Sequence, residues 1–93
     1  MTNTELVEKI QEMFGEDAPS IILEGDEYAD GEVGISNDGQ VIYDYEKLVA
    51  ALSKAWDCTA EEAIEWIEFN PIRSIPYMKS YGPPPIIMYS FNE

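Results

Sequence analysis

Residues 32–49 read EVGISNDGQVIYDYEKLV, and this stretch decides the fold class of the 93-residue chain. It contains two short runs rich in β-branched and aromatic residues, 32–36 and 40–43, separated by the triplet Asn-Asp-Gly at 37–39. Glycine in such a turn readily adopts a positive φ, so the pattern predicts an antiparallel β-hairpin. Asp44 stands where it can cap a helix, because apolar residues recur at helical spacing from there to about residue 56.

Two further helices are predicted on either side of this stretch. Apolar residues at helical spacing favour a helix over 3–14, and Thr2 with Glu5 matches the capping box that starts such a helix. Thr59 and Glu62 form a second capping box, which predicts a helix that continues until the Asn-Pro pair at 70–71.

Short apolar runs at 20–24 and 86–91 are predicted to be strands. The expected fold class is therefore α+β, with three main helices packed on a small, largely antiparallel sheet of three to four short strands. The length predicts a single domain, 1–93. We expect Trp56 and Trp66 to lie in the core, because both fall in predicted helices beside apolar neighbours.

The charge of the chain is strongly unbalanced. It has 5 basic and 19 acidic residues, a formal net charge of −14, and no base stands between Lys9 and Lys47. Direct binding to nucleic acid or to an anionic membrane is therefore not expected. Such asymmetry destabilises a domain through self-repulsion and exceeds what solubility requires, so it indicates a basic protein partner.

Catalysis and metal binding are disfavoured by the composition. The chain lacks histidine, the commonest general base and metal ligand, and its one cysteine, Cys58, can form no internal disulfide. Asp26 and Asp30 begin a segment similar to a calcium loop, but Tyr28 and Asn37 occupy positions where ligands are needed. We therefore expect no enzymatic activity, no cofactor and no metal, and a cytoplasmic location.

Two groups of acidic residues are candidates for partner binding. On a helix, carboxylates three and four residues apart are spaced by roughly 4.5 to 6 Å along the axis, comparable to successive phosphates. This spacing predicts a surface that imitates DNA, and the alternative is an acidic face that is merely solvated. The candidates on the loops and hairpin are Glu24, Asp26, Glu27, Asp30, Glu32 and Asp38, and those on the predicted helix are Glu61, Glu65 and Glu68.

The C-terminal part differs in composition from the rest. Residues 70–92 contain no acid and several tyrosines and prolines, a composition that protein interfaces favour. Arg73, Tyr77 and Tyr81 are therefore candidates for a secondary partner surface. The alternatives are that these aromatic residues pack over the helices, or that they support self-association as a homodimer.

Four segments of the second half of the chain form a recognisable pattern: VIYDYEKLV at 41–49, EEAIEWIEFN at 61–70, IRSIPYM at 72–78 and PIIMY at 85–89. In these segments the chain resembles a family of small uncharacterised proteins from phages and prophages. These patterns contain no catalytic motif, so the resemblance implies origin more than activity. Together with the acidity, it implies similarity in kind to the anti-CRISPR proteins, several of which are small, acidic and occupy DNA-binding surfaces of a nuclease.

The sequence thus predicts a phage-encoded, non-enzymatic inhibitor of a host defence nuclease, with a CRISPR effector as one option. Its acidic surface would block a basic nucleic-acid-binding site. The alternative is a protein interaction or assembly module of phage or bacterial origin that binds through its Tyr/Pro-rich C-terminal segment.

Overall fold

The computed structural model describes residues 2–15, 21–23, 25–78 and 82–91. Its elements follow in the order α1 (Asn3–Phe14), α2 (Asp26–Ala29), β1 (Glu32–Ile35), β2 (Val41–Asp44), α3 (Tyr45–Ala55), α4 (Ala60–Phe69), α5 (Pro71–Ser74), a 3₁₀ turn (Ile75–Tyr77) and β3 (Ile86–Met88). The fold class is α+β, as the sequence predicts.

Local signals place the starts of the three long helices, α1, α3 and α4. Thr2 and Glu5 form the expected capping box at α1, and Thr59 and Glu62 form the one at α4. The Asp44 carboxylate accepts a hydrogen bond from the Lys47 N–H at 3.1 Å and so caps α3. Each of these contacts satisfies a backbone donor that the first helical turn would leave unpaired.

The sheet is mixed, with strand order β1-β2-β3. β1 and β2 form the predicted antiparallel hairpin, with a bulge between Glu32 and Gly34, and Gly39 in the turn has a φ of 84°. β3 runs parallel to β2, pairing Tyr43 with Ile87, so the sheet has one antiparallel and one parallel pair. The long helical connection between β2 and β3 permits the parallel direction, which a tight hairpin turn would forbid.

The predicted strand at 20–24 is not formed by residues 21–23, and residues 20 and 24 lie outside the described chain. The segment is held by a side chain instead, because the Leu23 N–H donates to the buried Tyr43 hydroxyl at 3.0 Å. The last strand is also shorter than predicted, since it ends at Met88.

The core lies where the helices meet the central strand. Tyr43, Leu48, Leu52, Ile67 and Val41 are the largest side chains with essentially no exposure. Buried residues of α1, α2, α4 and the segment before α2 complete this cluster: Leu6, Ile10, Leu23, Tyr28 and Ala63. The glutamates of α4 are therefore directed away from it.

Candidate functional site

The outer face of α4 is acidic and aromatic. Ala63 and Ile67 are buried, whereas all four glutamates of the helix are exposed, and the helix has no Lys or Arg. Trp66 and Phe69 lie on the same helix with 45% and 60% of their surface exposed. Helical geometry explains the separation, because residues one position from a buried residue point about 100° away from it.

Three aromatic side chains join this face to α2. Trp66 packs edge-to-face on Trp56 at a centroid distance of 5.5 Å, and Trp56 packs edge-to-face on Tyr28 at 6.4 Å. The Trp66 indole N–H donates to the Tyr28 hydroxyl at 2.7 Å. We call Tyr28, Trp56 and Trp66 the aromatic bridge, since it connects α2, the end of α3 and α4.

The prediction that both tryptophans lie in the core is wrong. Trp56 retains 41% of its surface exposed, close to the value for Trp66. Ala63 and Ile67 occupy the buried positions of α4, so the larger Trp66 side chain lies at the edge of the core. There its indole N–H donates a hydrogen bond to the Tyr28 hydroxyl. Tyr28 itself is buried, and burial raises its pKa, with the negative charge of Glu27 acting in the same direction.

A shallow groove of about 340 Å³ runs beside Trp66 and is lined by Glu62, Glu65, Trp66, Phe69 and Asn70. We call it the α4 groove. The Glu62 Oε1 accepts from the Thr59 N–H at 3.1 Å as part of the capping box, and the Asn70 side-chain N–H donates to the Trp66 carbonyl at 2.9 Å. The ends of the groove are thus held by local hydrogen bonds.

Of the predicted helical candidates, Glu61 and Glu65 are exposed, while Glu68 has a structural partner. The Tyr45 hydroxyl donates to Glu68 Oε2 at 2.8 Å, and the Tyr45 ring stacks on Tyr89 at 4.9 Å. Burial, together with the hydrogen bond and negative charge of Glu68, raises the pKa of Tyr45 to about 12. Glu68 therefore connects α4 to the start of α3 through Tyr45, which in turn contacts the C-terminal segment.

The two acidic residues of α2, Asp26 and Glu27, directly precede Tyr28 of the aromatic bridge in the sequence. The Asp26 carboxylate accepts from the Asn3 N–H at 2.9 Å and so ties α2 to the start of α1. Glu27 is half-buried and its carboxylate lies against Gly25. Asp30 is exposed after the helix and lines a shallow surface groove that also contains Lys47. Glu24 lies outside the described residues.

The two candidates on the hairpin are placed differently. Glu32 is half-buried in a groove of about 380 Å³ between α1 and β1, which Lys9 also lines. Burial raises the pKa of Glu32, and the positive charges of Lys9 and Lys47 oppose that change. Asp38 is exposed in the hairpin turn. Convergence of the loop acids on one patch stays a prediction.

The secondary surface is only partly within the described chain. Arg73 is exposed on α5, and Tyr77 in the 3₁₀ turn keeps 79% of its surface exposed. Tyr81 lies outside the described residues. Phe91 is 99% exposed, so this end of the chain also presents apolar surface.

The described residues hold no group of three or more acidic, cysteine or histidine side chains placed to bind a metal ion. Asp26–Ala29, the start of the segment that was compared with a calcium loop, forms the short helix α2. None of the helices in the described ranges is long and apolar enough to cross a bilayer.

Comparison of the chain with protein-family models, with curated proteins and with solved structures found no match. The resemblance to phage proteins therefore stays a prediction.

Proposed function

We propose that this protein is a non-enzymatic inhibitor that docks its α4 face on a basic protein surface and thereby blocks nucleic acid from binding there. The target class that fits the sequence resemblance is a host defence nuclease, with CRISPR effectors among the candidates, and the chain would then be phage-encoded. The action requires binding only, so no catalytic residue is assigned.

The observation that supports this proposal is the composition of the exposed α4 face. Four carboxylates without a base give it a negative potential, and Glu61 and Glu65 are one helical turn apart, roughly 6 Å along the axis. A basic groove built for phosphates offers the complementary charge.

The neighbouring aromatic residues favour docking over simple solvation. A face that served only solubility would not need Trp66 and Phe69 half-exposed beside its carboxylates. Tryptophan is among the residues that contribute most to protein interfaces, where it fills pockets while a charged rim steers association. The α4 face combines both features.

Charge reversal in matched pairs tests the proposal. Glu61→Lys with Glu65→Lys changes the α4 face, and Glu8→Lys with Glu12→Lys makes the same change at the same spacing on α1, where both glutamates are exposed. The measurement is displacement of a labelled DNA duplex from a panel of purified CRISPR effector and restriction nucleases at 50 and 300 mM NaCl.

We expect the wild type and the α1 variant to displace DNA from at least one nuclease at 50 mM NaCl, less at 300 mM, and the α4 variant to fail. Equal losses in both variants would show that net charge alone matters. No displacement from any nuclease at low salt would contradict the proposal.

A second candidate is an interaction module that binds through the C-terminal segment. It is favoured by the exposure of Tyr77 and Phe91, which lie in a region without acids between residues 70 and 91. Tyr77→Ala separates the candidates, because it should weaken partner binding in this case and leave DNA displacement unchanged in the first.

A further inference from the structure

We infer that the α4 groove receives an arginine side chain of the partner protein. This inference rests on the proposed function and names the group that the same surface would recognise. Its basis is the combination in one groove of an oriented indole, carboxylates and a second exposed ring.

The indole of Trp66 is held in one orientation before any partner arrives. Its N–H is bonded to the Tyr28 hydroxyl, and Trp56 packs edge-to-face against it. Trp66 nevertheless keeps 45% of its surface exposed, and it lines the groove. A ring that is already oriented loses little conformational entropy on binding, which favours affinity.

The charge of the groove is negative. Glu62 and Glu65 line it, and none of its lining residues is a Lys or Arg. The capping box engages Glu62 through Oε1, whereas the Glu65 carboxylate makes no hydrogen bond to any of the described residues. Within the described part of the chain, Glu65 is thus the lining carboxylate that can accept hydrogen bonds from a cation.

A guanidinium fits this combination better than an ammonium. It is flat, so it can stack on an indole face while its N–H groups reach a carboxylate at the edge, and it gives up its hydration more readily. Phe69, which also lines the groove, offers apolar contact to the methylene stem of the arginine. The volume of about 340 Å³ lies at the lower end of the range for binding pockets, which suits a single side chain.

Two peptides of equal charge test the inference, an alternating Gly-Arg octapeptide and its Gly-Lys counterpart. Each is titrated at 50 mM NaCl into ¹⁵N-labelled full-length protein, and the indole N–H signals of Trp66 and Trp56 are followed, assigned with a Trp56→Phe variant. Glu65→Gln removes one charge inside the groove, and Glu61→Gln removes one charge from the same helix outside its lining residues.

We expect the arginine peptide to bind about threefold to fivefold more tightly than the lysine peptide and to shift the Trp66 signal. Glu65→Gln should weaken arginine binding by about the same factor, and Glu61→Gln by less than about twofold. Equal affinity for both peptides, equal effects of both substitutions, or an unmoved Trp66 signal would overturn the inference.

The outcome separates this inference from the proposed function. An arginine preference located at Trp66 without DNA displacement from any nuclease would contradict the proposed function alone. DNA displacement that requires Glu61 and Glu65, without any arginine preference, would contradict the groove assignment alone.

Discussion

The neighbours of Gly31 leave no room for a side chain at this position. Gly31 is buried, and a Cβ at this position would lie 2.6 Å from the Leu48 Cδ2 and 3.2 Å from the Leu48 Cα. The Gly31 carbonyl also accepts from the Asp44 N–H at 2.9 Å, so the backbone has little freedom to retreat. The close approach of α3 to the start of β1 therefore depends on glycine here.

Gly31→Ala is expected to lower the free energy of unfolding by about 1 to 3 kcal/mol, because the added methyl group overpacks the contact with Leu48. Urea denaturation, monitored by circular dichroism, measures this change in the free energy of unfolding. Gly34→Ala is the matched control on β1, since nothing lies within 4 Å of its added Cβ. A loss as large in the control would contradict the explanation.

Tyr43 is the residue on which the segment before α2 depends. Its side chain is fully buried, and its hydroxyl accepts the Leu23 N–H at 3.0 Å. Tyr43→Phe leaves that buried donor without a partner, so we expect a loss of about 1 to 3 kcal/mol in unfolding free energy at pH 7. An unchanged denaturation midpoint would show that water or another group replaces the hydroxyl.

The same residue predicts a loss of stability at alkaline pH. Burial raises the pKa of Tyr43 to about 12, whereas an unfolded tyrosine has its ordinary pKa near 10. Between these two pKa values the unfolded state loses the Tyr43 proton while the folded state keeps it. The protonated hydroxyl therefore contributes roughly 2 to 3 kcal/mol to the free energy of unfolding. This contribution is complete below pH 10 and is lost as the pH rises to 12.

Denaturation at pH 8, 10 and 11 measures this loss in the wild type and in Tyr43→Phe. The slope in the variant should be smaller but not zero, because Tyr28 and Tyr45 also have raised pKa values. Equal slopes would contradict the assignment to Tyr43.

At the level of elements, β2 and α3 are joined without a loop. Asp44 is both the last residue of β2, paired with Met88 of β3, and the N-cap of α3. Asp44 is buried, with 7% of its surface exposed, and its carboxylate accepts a hydrogen bond from the Lys47 N–H. The side chain therefore links the direction of the helix to the sheet.

Asp44→Ala should cost about 1 to 2 kcal/mol of unfolding free energy, because the cap of α3 is lost, whereas Asp44→Asn should retain most of it. Thermal denaturation of the two variants checks the difference. Equal destabilisation would indicate that the negative charge, and not the capping oxygen, matters at this position.

For the whole molecule, a net charge of −14 on 93 residues produces self-repulsion. Salt screens exposed charges over about 10 Å at 0.1 M and about 30 Å at 0.01 M. Raising NaCl from 10 to 200 mM should therefore stabilise the fold by about 1 kcal/mol, which corresponds to roughly 4 to 8 °C in Tm for a domain of this size.

Calorimetry at both salt concentrations measures this shift. The double lysine variants on α1 and on α4 remove the same charge, so both should show a smaller salt response than the wild type. A Tm independent of salt would contradict the argument from self-repulsion. Equal Tm values of the two variants would make a difference between them in binding attributable to position.

The sequence by itself determined the starts of α1, α3 and α4, the hairpin and the exposure of Glu61 and Glu65. Capping boxes, turns and amphipathic faces are set by groups within a few residues of one another, so local patterns suffice. Only the tertiary structure decided the parallel direction of β3, the lack of a strand at 21–23 and the exposure of the tryptophans. These depend on packing between groups far apart in the chain, such as Tyr28 and Trp66 or Leu23 and Tyr43, and no local pattern specifies which of them meet.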